Sequence, residues 1–365
     1  MIILQFLLAL VILSILVLVH EFGHFFVAKK IGVWAEEFGI GLPPRIWGKK
    51  IGETIYSINA LPIGGFVRLH GEVGEDKENI KNPDRAFVNK KALPRIAVAV
   101  AGVTMNIIFA VFCFSLIYAF TGVPRQVENG VVVTQVSESS PAEEAGIMPE
   151  DKILSMNGTL VDMNNLGMLI DENKGKNVTL ETSLGEKNIF IRSEAPEGEG
   201  LLGVAFTNME FVYPPWYVAP FEYFKNGVDD TIFFAKQTVL GFMSLFQDIT
   251  SGQSPKGVLG PVGITLTLTE FVKSGVVSVL GLAGIISINL ALLNLIPFPP
   301  LDGSRVVLII GESIFGKKFI RKHEAHLHLA GMAVLILLIV VMTFNEIPKL
   351  ISAGSISGFV ESILQ

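Results

Sequence analysis

The sequence predicts a membrane α-helical bundle of about four transmembrane helices that carries a β-rich insertion. Three observations predict it. Half of the 365 residues are apolar and only 17% are charged, against about 25% in an average soluble domain. Four stretches, 1–19, 96–124, 274–301 and 325–345, hold no charged side chain. A helix of about 20 apolar residues is enough to cross roughly 30 Å of hydrocarbon. Between the second and third stretches, short strand-like runs alternate with turn residues. This balance excludes a disordered chain and a soluble enzyme. A net charge of −6 leaves no basic surface for nucleic acid. The one cysteine, Cys113, excludes an internal disulfide and a cysteine-based metal site, and reads as a small core hydrophobe.

In chain order, residues 1–28 form the first transmembrane helix. It lacks a basic leader and a small-residue cleavage site, so it reads as retained. Residues 29–95 form a loop with 12 Lys and Arg. Within it, 51–69 is rich in Ile, Tyr, Phe and Val with Gly and Pro turns, the pattern of strands. Residues 96–121 are the second helix. The segment 121–230 carries 7 Lys and Arg against 18 Asp and Glu. Residues 211–273 are an aromatic, amphipathic segment suited to the outer membrane interface. Residues 274–301 are the third helix, 302–324 a loop with 5 Lys and Arg, 325–345 the fourth helix, and 346–365 a tail. Basic loops stay in the cytoplasm. The acidic middle segment and both termini are therefore expected outside it.

The first helix ends in His20-Glu21-Phe22-Gly23-His24. Ionisable groups at membrane depth are costly and usually functional. Residues i and i+4 share a helix face, so both imidazoles can reach one ion, and zinc favours imidazole nitrogen. Glu21 stands beside that ion, where it can take a proton from the attacking water. With six histidines in 365 residues, chance gives on the order of 0.005 such matches. A catalytic zinc needs a third protein ligand. His70 lies in the first loop, and His323, His326 and His328 read as interfacial side chains. Asp302 directly follows the third apolar run, where Pro297, Pro299 and Pro300 break the helix. From its surroundings alone it is either a ligand or part of an ordinary Asp-Gly turn. Asn289 and Asn294 lie on the same span. A cation transporter would need polar residues along several spans, and the second and fourth offer almost none. A catalytically dead adaptor would have no need to keep the His-Glu-His set.

Two motifs taken together, His20-Glu21-Phe22-Gly23-His24 and the run Asn294-Leu295-Ile296-Pro297-Phe298-Pro299-Pro300-Leu301-Asp302-Gly303, resemble the site-2 protease family of intramembrane zinc metalloproteases. The motif order is similar to the bacterial regulator of sigma-E protease branch, and the resemblance covers nearly the whole chain. It implies Zn2+ held by His20, His24 and Asp302, with Glu21 as general base. It implies substrate contacts from Asn294, with Pro297 and Pro299 shaping the turn that presents Asp302. Pro62-Ile63-Gly64-Gly65-Phe66-Val67 resembles a family segment in a membrane-associated β-sheet, which implicates Gly64 and Gly65 in substrate binding, with the edge near 51–69. The implied substrates are single-span membrane proteins, of anti-sigma factor or remnant signal peptide type, cut in regulated intramembrane proteolysis. The implied location is the bacterial cytoplasmic (inner) membrane.

Residues 122–210, with Ser140-Pro141-Ala142-Glu143-Glu144-Ala145-Gly146-Ile147 and the Asn157-Gly158 turn, resemble a single PDZ domain. Such a domain either binds an extended peptide or filters access by bulk. The second span departs from the family pattern at Gly102-Val103-Thr104-Met105-Asn106, and Ser304-Arg305 follow Asp302-Gly303 where glycine is common. Both departures are expected to lie away from the zinc ligands.

Overall fold

The computed structural model describes residues 2–72, 81–196, 198–251, 260–356 and 358–359. Parts of five predicted segments therefore lie outside the described residues: 1 of the first helix, 73–80 of the first loop, 197 of the 122–210 domain, 252–259 of the interfacial segment, and 357 with 360–365 of the tail. The chain divides into two compact units, Met1–Phe120 with Tyr223–Gln365, and Thr121–Glu222.

The first unit begins with helix α1 (Ile2–Lys30). Its 29 residues extend about 43 Å at 1.5 Å per residue. Strands β1 (Ala35–Ile51) and β2 (Thr54–Leu69) follow, then helix α2 (Ala92–Thr121). The two strands pair in a way their lengths do not suggest. Each bends in its middle, so the register gives four segments in the order 45–51, 54–59, 37–40, 65–69; the two outer pairs run antiparallel, and 54–59 runs alongside 37–40 in the same direction. Gly41 and Gly64 sit at the bends with φ of 76° and 75°, a region that glycine enters without steric cost. Among the described residues, 65–69 therefore has a strand neighbour on one side only. The reading of 51–69 as one edge is corrected here, because 54–59 is interior. The sheet docks on α1 through Ser14, whose hydroxyl donates to Pro62 O and accepts from Gly64 N. Beneath it Phe25, Ala28, Val33, Leu69, Phe87 and Val98 form one buried cluster. Arg85 bonds both carboxylate oxygens of Glu53 at 2.6 and 2.7 Å, and these bonds hold the Glu53 carboxyl below the usual carboxylate range.

The second unit comprises β3 (Val123–Gln126), β4 (Val131–Val136), α3 (Pro141–Glu144), β5 (Lys152–Met156), β6 (Thr159–Leu160), α4 (Leu166–Glu172), β7 (Asn177–Thr182), β8 (Gly185–Phe190), β9 (Val204–Thr207) and β10 (Met209–Val212). One sheet runs β8-β7-β5-β4-β9, with β6 on β5; β3 and β10 pair separately. The turn read at Asn157-Gly158 joins β5 to β6, both residues having positive φ, as a tight hairpin requires. Ser140 caps α3 by accepting from Glu143 N at 3.2 Å, with Pro141 in the first turn, the start that Ser-Pro favours. The core of this unit is apolar and closed around Val131, Ile153, Leu166, Leu180, Ile189 and Ile191.

The chain returns to the first unit with α5 (Ala219–Thr250), α6 (Pro261–Lys273), α7 (Val276–Leu295), α8 (Asp302–Phe315) and α9 (Lys317–Ala353). Among the described residues, four helices are long and apolar enough to cross a membrane: Leu4–Lys30, Ala92–Thr121, Val276–Leu295 and His323–Ala353. Each overlaps one of the four charge-free stretches, and the third ends at Leu295, short of the predicted 301. Cys113 is fully buried among them, beside Leu16 and Ala283.

Three expectations change. The loop read at 302–324 is helical: α8 and the start of α9 meet at Gly316, whose φ of 84° breaks the run. The fourth span is the middle of α9, which continues through Pro348 to Ala353, into the predicted tail. The segment read as interfacial contains α5, one face of which follows α2 and α7. Tyr118 donates to Asp230 at 2.5 Å, Phe114 stacks on Phe234, and Thr238 donates to Asn289 at 2.7 Å. Polar pairs and a close approach at Gly227, where a Cβ would lie 2.3 Å from Ser115 Oγ, dock this face on protein rather than on a lipid surface. On α9, Glu346 accepts from Gly260 N and Gly263 N at 2.6 and 3.1 Å. It caps α6, whose own N-cap residue is glycine.

Arg95 at the start of α2 meets Glu312 of α8 at 2.7 Å, with their side chains 4% and 6% exposed. Breaking such a buried pair strands a charge, which costs about 3–5 kcal/mol. Arg95→Ala is expected to lower the unfolding free energy in detergent by that amount, read from denaturant titration. A change under about 1 kcal/mol, the scale of an exposed pair, would show that water reaches Glu312.

Candidate active site

The site is built where α1, α2 and α8 converge. His20 and His24 stand one turn apart on α1, as the i, i+4 spacing requires, with their Nε2 atoms 3.1 Å apart. Asp302 opens α8 and brings Oδ2 to 2.9 Å from His20 Nε2 and 3.1 Å from His24 Nε2. The turn after α7 folds back tightly to put it there: a Cβ on Gly303 would lie 2.2 Å from Leu295 O. Both imidazoles are buried. Among the described residues, these three are the group of His, Cys, Asp and Glu that can hold a metal ion. Three donors on a tetrahedral zinc with bonds of about 2.0–2.1 Å lie roughly 3.3 Å apart, close to the triangle observed. Two imidazoles, one carboxylate and an open fourth position make the donor set of a catalytic zinc.

Helix α2 backs both rings. Val98 O lies 2.8 Å from His24 Nδ1, and Asn106 Nδ2 lies 3.2 Å from His20 Nδ1. Between them Gly102 leaves a cradle for the rings. A Cβ there would sit 2.5 Å from His24 Nε2 and 2.6 Å from His20 Nε2. The run 102–106 departs from the family pattern at Val103; Gly102 and Asn106, which keep that pattern, lie against the two imidazoles. The signal was present. Positions 98, 102 and 106 recur every four residues and so share one face of α2, and an amide in a charge-free span calls for a partner.

A cavity of about 750 Å3 opens onto this centre. Glu21 and Asn294 line it, as do Phe66, Val67, Arg68 and Leu69 of the sheet edge. Val67 N–H donates to Glu21 Oε2 at 3.1 Å, which ties the carboxylate to the edge strand. Gly64 and Gly65 are not among the lining residues. They dock the strand on α1, and a Cβ on Gly65 would meet Leu18 at 2.6 Å. Pro297 and Pro299 also stand back from the cavity, whereas Pro300 lines it. The Pro299 carbonyl instead packs under Gly331 of α9.

His70 is elsewhere, bonded to Glu36 at 2.7 Å and packed on Trp34. His323 packs against Phe319 with the rings tilted at 41°, but the interfacial reading fails for His328. It lines the cavity with Arg305 and Glu72, which form an ion pair. Nothing local to residues 321–328 separates His328 from His326. Only the packing of α9 does.

The family model for peptidase family M50 matches residues 8–338. A zinc metalloprotease of Fusobacterium nucleatum, so named, is 32% identical over 366 residues, covering 94% of this chain and 99% of that protein. One of Clostridium acetobutylicum is 30% identical over 343 residues, covering 93% and 96%. One of Staphylococcus aureus is 26% identical over 428 residues, covering 93% and 97%. With a match across nearly the whole length and a donor set fit for catalytic zinc, the chain belongs to peptidase family M50, the site-2 proteases, and is a membrane-bound zinc metalloprotease.

Proposed function

We propose that this enzyme is an intramembrane endopeptidase. It cuts single-span membrane proteins, of anti-sigma factor or remnant signal peptide type, within or near the transmembrane segment during regulated intramembrane proteolysis. The observation that carries the reading is the shared cavity: a metal-binding triad and a sheet edge open together at the end of an apolar helix. The enzyme sits in a bacterial cytoplasmic membrane, with the unit 121–222 and both termini outside. That unit is a single PDZ domain which meets the substrate's outer segment, by binding it or by excluding larger ones.

His20, His24 and Asp302 would hold the zinc, which when bound would supply an activated water and polarisation of the scissile carbonyl. A transmembrane helix presents no free backbone, because its own hydrogen bonds are satisfied. The substrate therefore unwinds locally and adds as a strand to 65–69, with Asn294 bonding its backbone. Glu21 removes the proton from the attacking water and returns it to the leaving amine. The peptide C–N bond breaks, and one water is consumed for each carboxylate and amine formed.

Co-expression with a single-span anti-sigma-like reporter and a signal-peptide reporter tests this. Cleavage inside the apolar segment by the chain, absent with Asp302→Ala, is expected. If neither reporter is cut while a soluble, unfolded peptide is cut efficiently, the intramembrane reading fails.

A further inference from the structure

We propose that Asn106 is a positioning residue for the metal centre: its side-chain oxygen accepts from His20 Nδ1–H and so holds the His20 tautomer that can bind zinc. The inference rests on His20 being a zinc ligand. Asn106 is fully buried on α2, its backbone carbonyl accepting from Ser287 Oγ of α7 at 2.9 Å. Its amide faces His20 Nδ1 at 3.2 Å, and its Oδ1 is buried with no hydrogen-bond partner among the described residues.

Two orientations of that amide fill the same space. With Nδ2 toward the ring, the amide donates to Nδ1. The neutral ring then carries its proton on Nε2 and donates to Asp302 Oδ2. That tautomer has no lone pair on Nε2 for a metal. With Oδ1 toward the ring, the proton lies on Nδ1 and Nε2 is free to coordinate. The second orientation also gives the orphaned oxygen a partner, the ring Nδ1–H. His24 shows the same logic next door, because its Nδ1 can only donate to the Val98 carbonyl. A metal-ligating histidine almost always donates its other ring nitrogen to such an acceptor. Here α2 supplies both, a carbonyl and an amide two turns apart, on either side of the Gly102 cradle.

The test is zinc affinity of the purified full chain by chelator competition, with the spectrum of the cobalt-loaded protein as a second readout. Asn106→Leu, close in volume but without an acceptor, is expected to weaken zinc binding 10–100-fold and to shift the cobalt bands. Asn106→Asp restores an acceptor and is expected to bind zinc at least as tightly as the parent. Wild-type affinity in Asn106→Leu overturns the proposal. So does equal loss in the Leu and Asp variants, because a packing role would not be rescued by a carboxylate. His20→Ala separates the two levels. Zinc lost in His20→Ala but kept in Asn106→Leu defeats only the role of Asn106. Zinc kept in His20→Ala defeats the ligand assignment itself.

Discussion

Glu21→Gln is expected to bind zinc at one ion per chain and to lose turnover by about 10²–10⁴-fold, the span that a positioned general base contributes. Glutamine keeps the length of the side chain, and its amide oxygen can still accept from Val67 N–H, the contact that Glu21 makes at 3.1 Å. The three donors His20, His24 and Asp302 are untouched, so metal content isolates the loss to proton transfer. Elemental analysis of the purified chain and reporter cleavage in membranes check the two halves separately. Cleavage within about tenfold of the parent would remove Glu21 from the chemistry. Loss of zinc together with turnover would mean that its charge helps to hold the ion instead.

Gly102→Ala is expected to lose zinc although the substitution is, by helix propensity, favourable. Alanine in a helix interior gains roughly 0.5–1 kcal/mol over glycine. Here the new methyl would lie 2.5 Å from His24 Nε2 and 2.6 Å from His20 Nε2, where non-bonded carbon contacts sit near 3.5–4.0 Å. The rings cannot back away, because α1 and α2 already meet backbone to backbone. A Cβ on neighbouring Gly23 would lie 2.4 Å from Ala101 O. One of the two imidazoles must leave its rotamer, and a two-donor site holds zinc poorly. The expected result is less than one zinc per five chains (roughly a tenfold or greater loss of affinity, as for a disturbed ligand shell), with cleavage lost in proportion. Full zinc occupancy with a raised unfolding temperature would show that the cradle is roomier than the distances imply.

Local spacing accounts for what the sequence by itself determined. The four spans follow from runs without charge, because hydrocarbon admits few alternatives to a long apolar helix. His20, Glu21 and His24 follow from helix periodicity, since i and i+4 meet on one face whatever surrounds them. The Asn157-Gly158 turn follows from backbone sterics at those two residues.

Tertiary structure alone decided the rest. From its surroundings Asp302 is either a ligand or a turn residue. Its carboxylate reaches His20 and His24 because the turn after α7 folds back until Gly303 touches the Leu295 carbonyl. Residues 54–59 and 65–69 read as equivalent strand, and only the doubled-back register makes one interior and the other an edge at the cavity. Gly102 and Asn106 look like span-packing residues until α2 lies against α1. His328 joins the cavity, while His323 stays on Phe319, through the path of α9. The physical reason is common to all four. Hydrophobic periodicity fixes which residues share a face within one element, but faces from separate elements meet only through packing that no local spacing encodes.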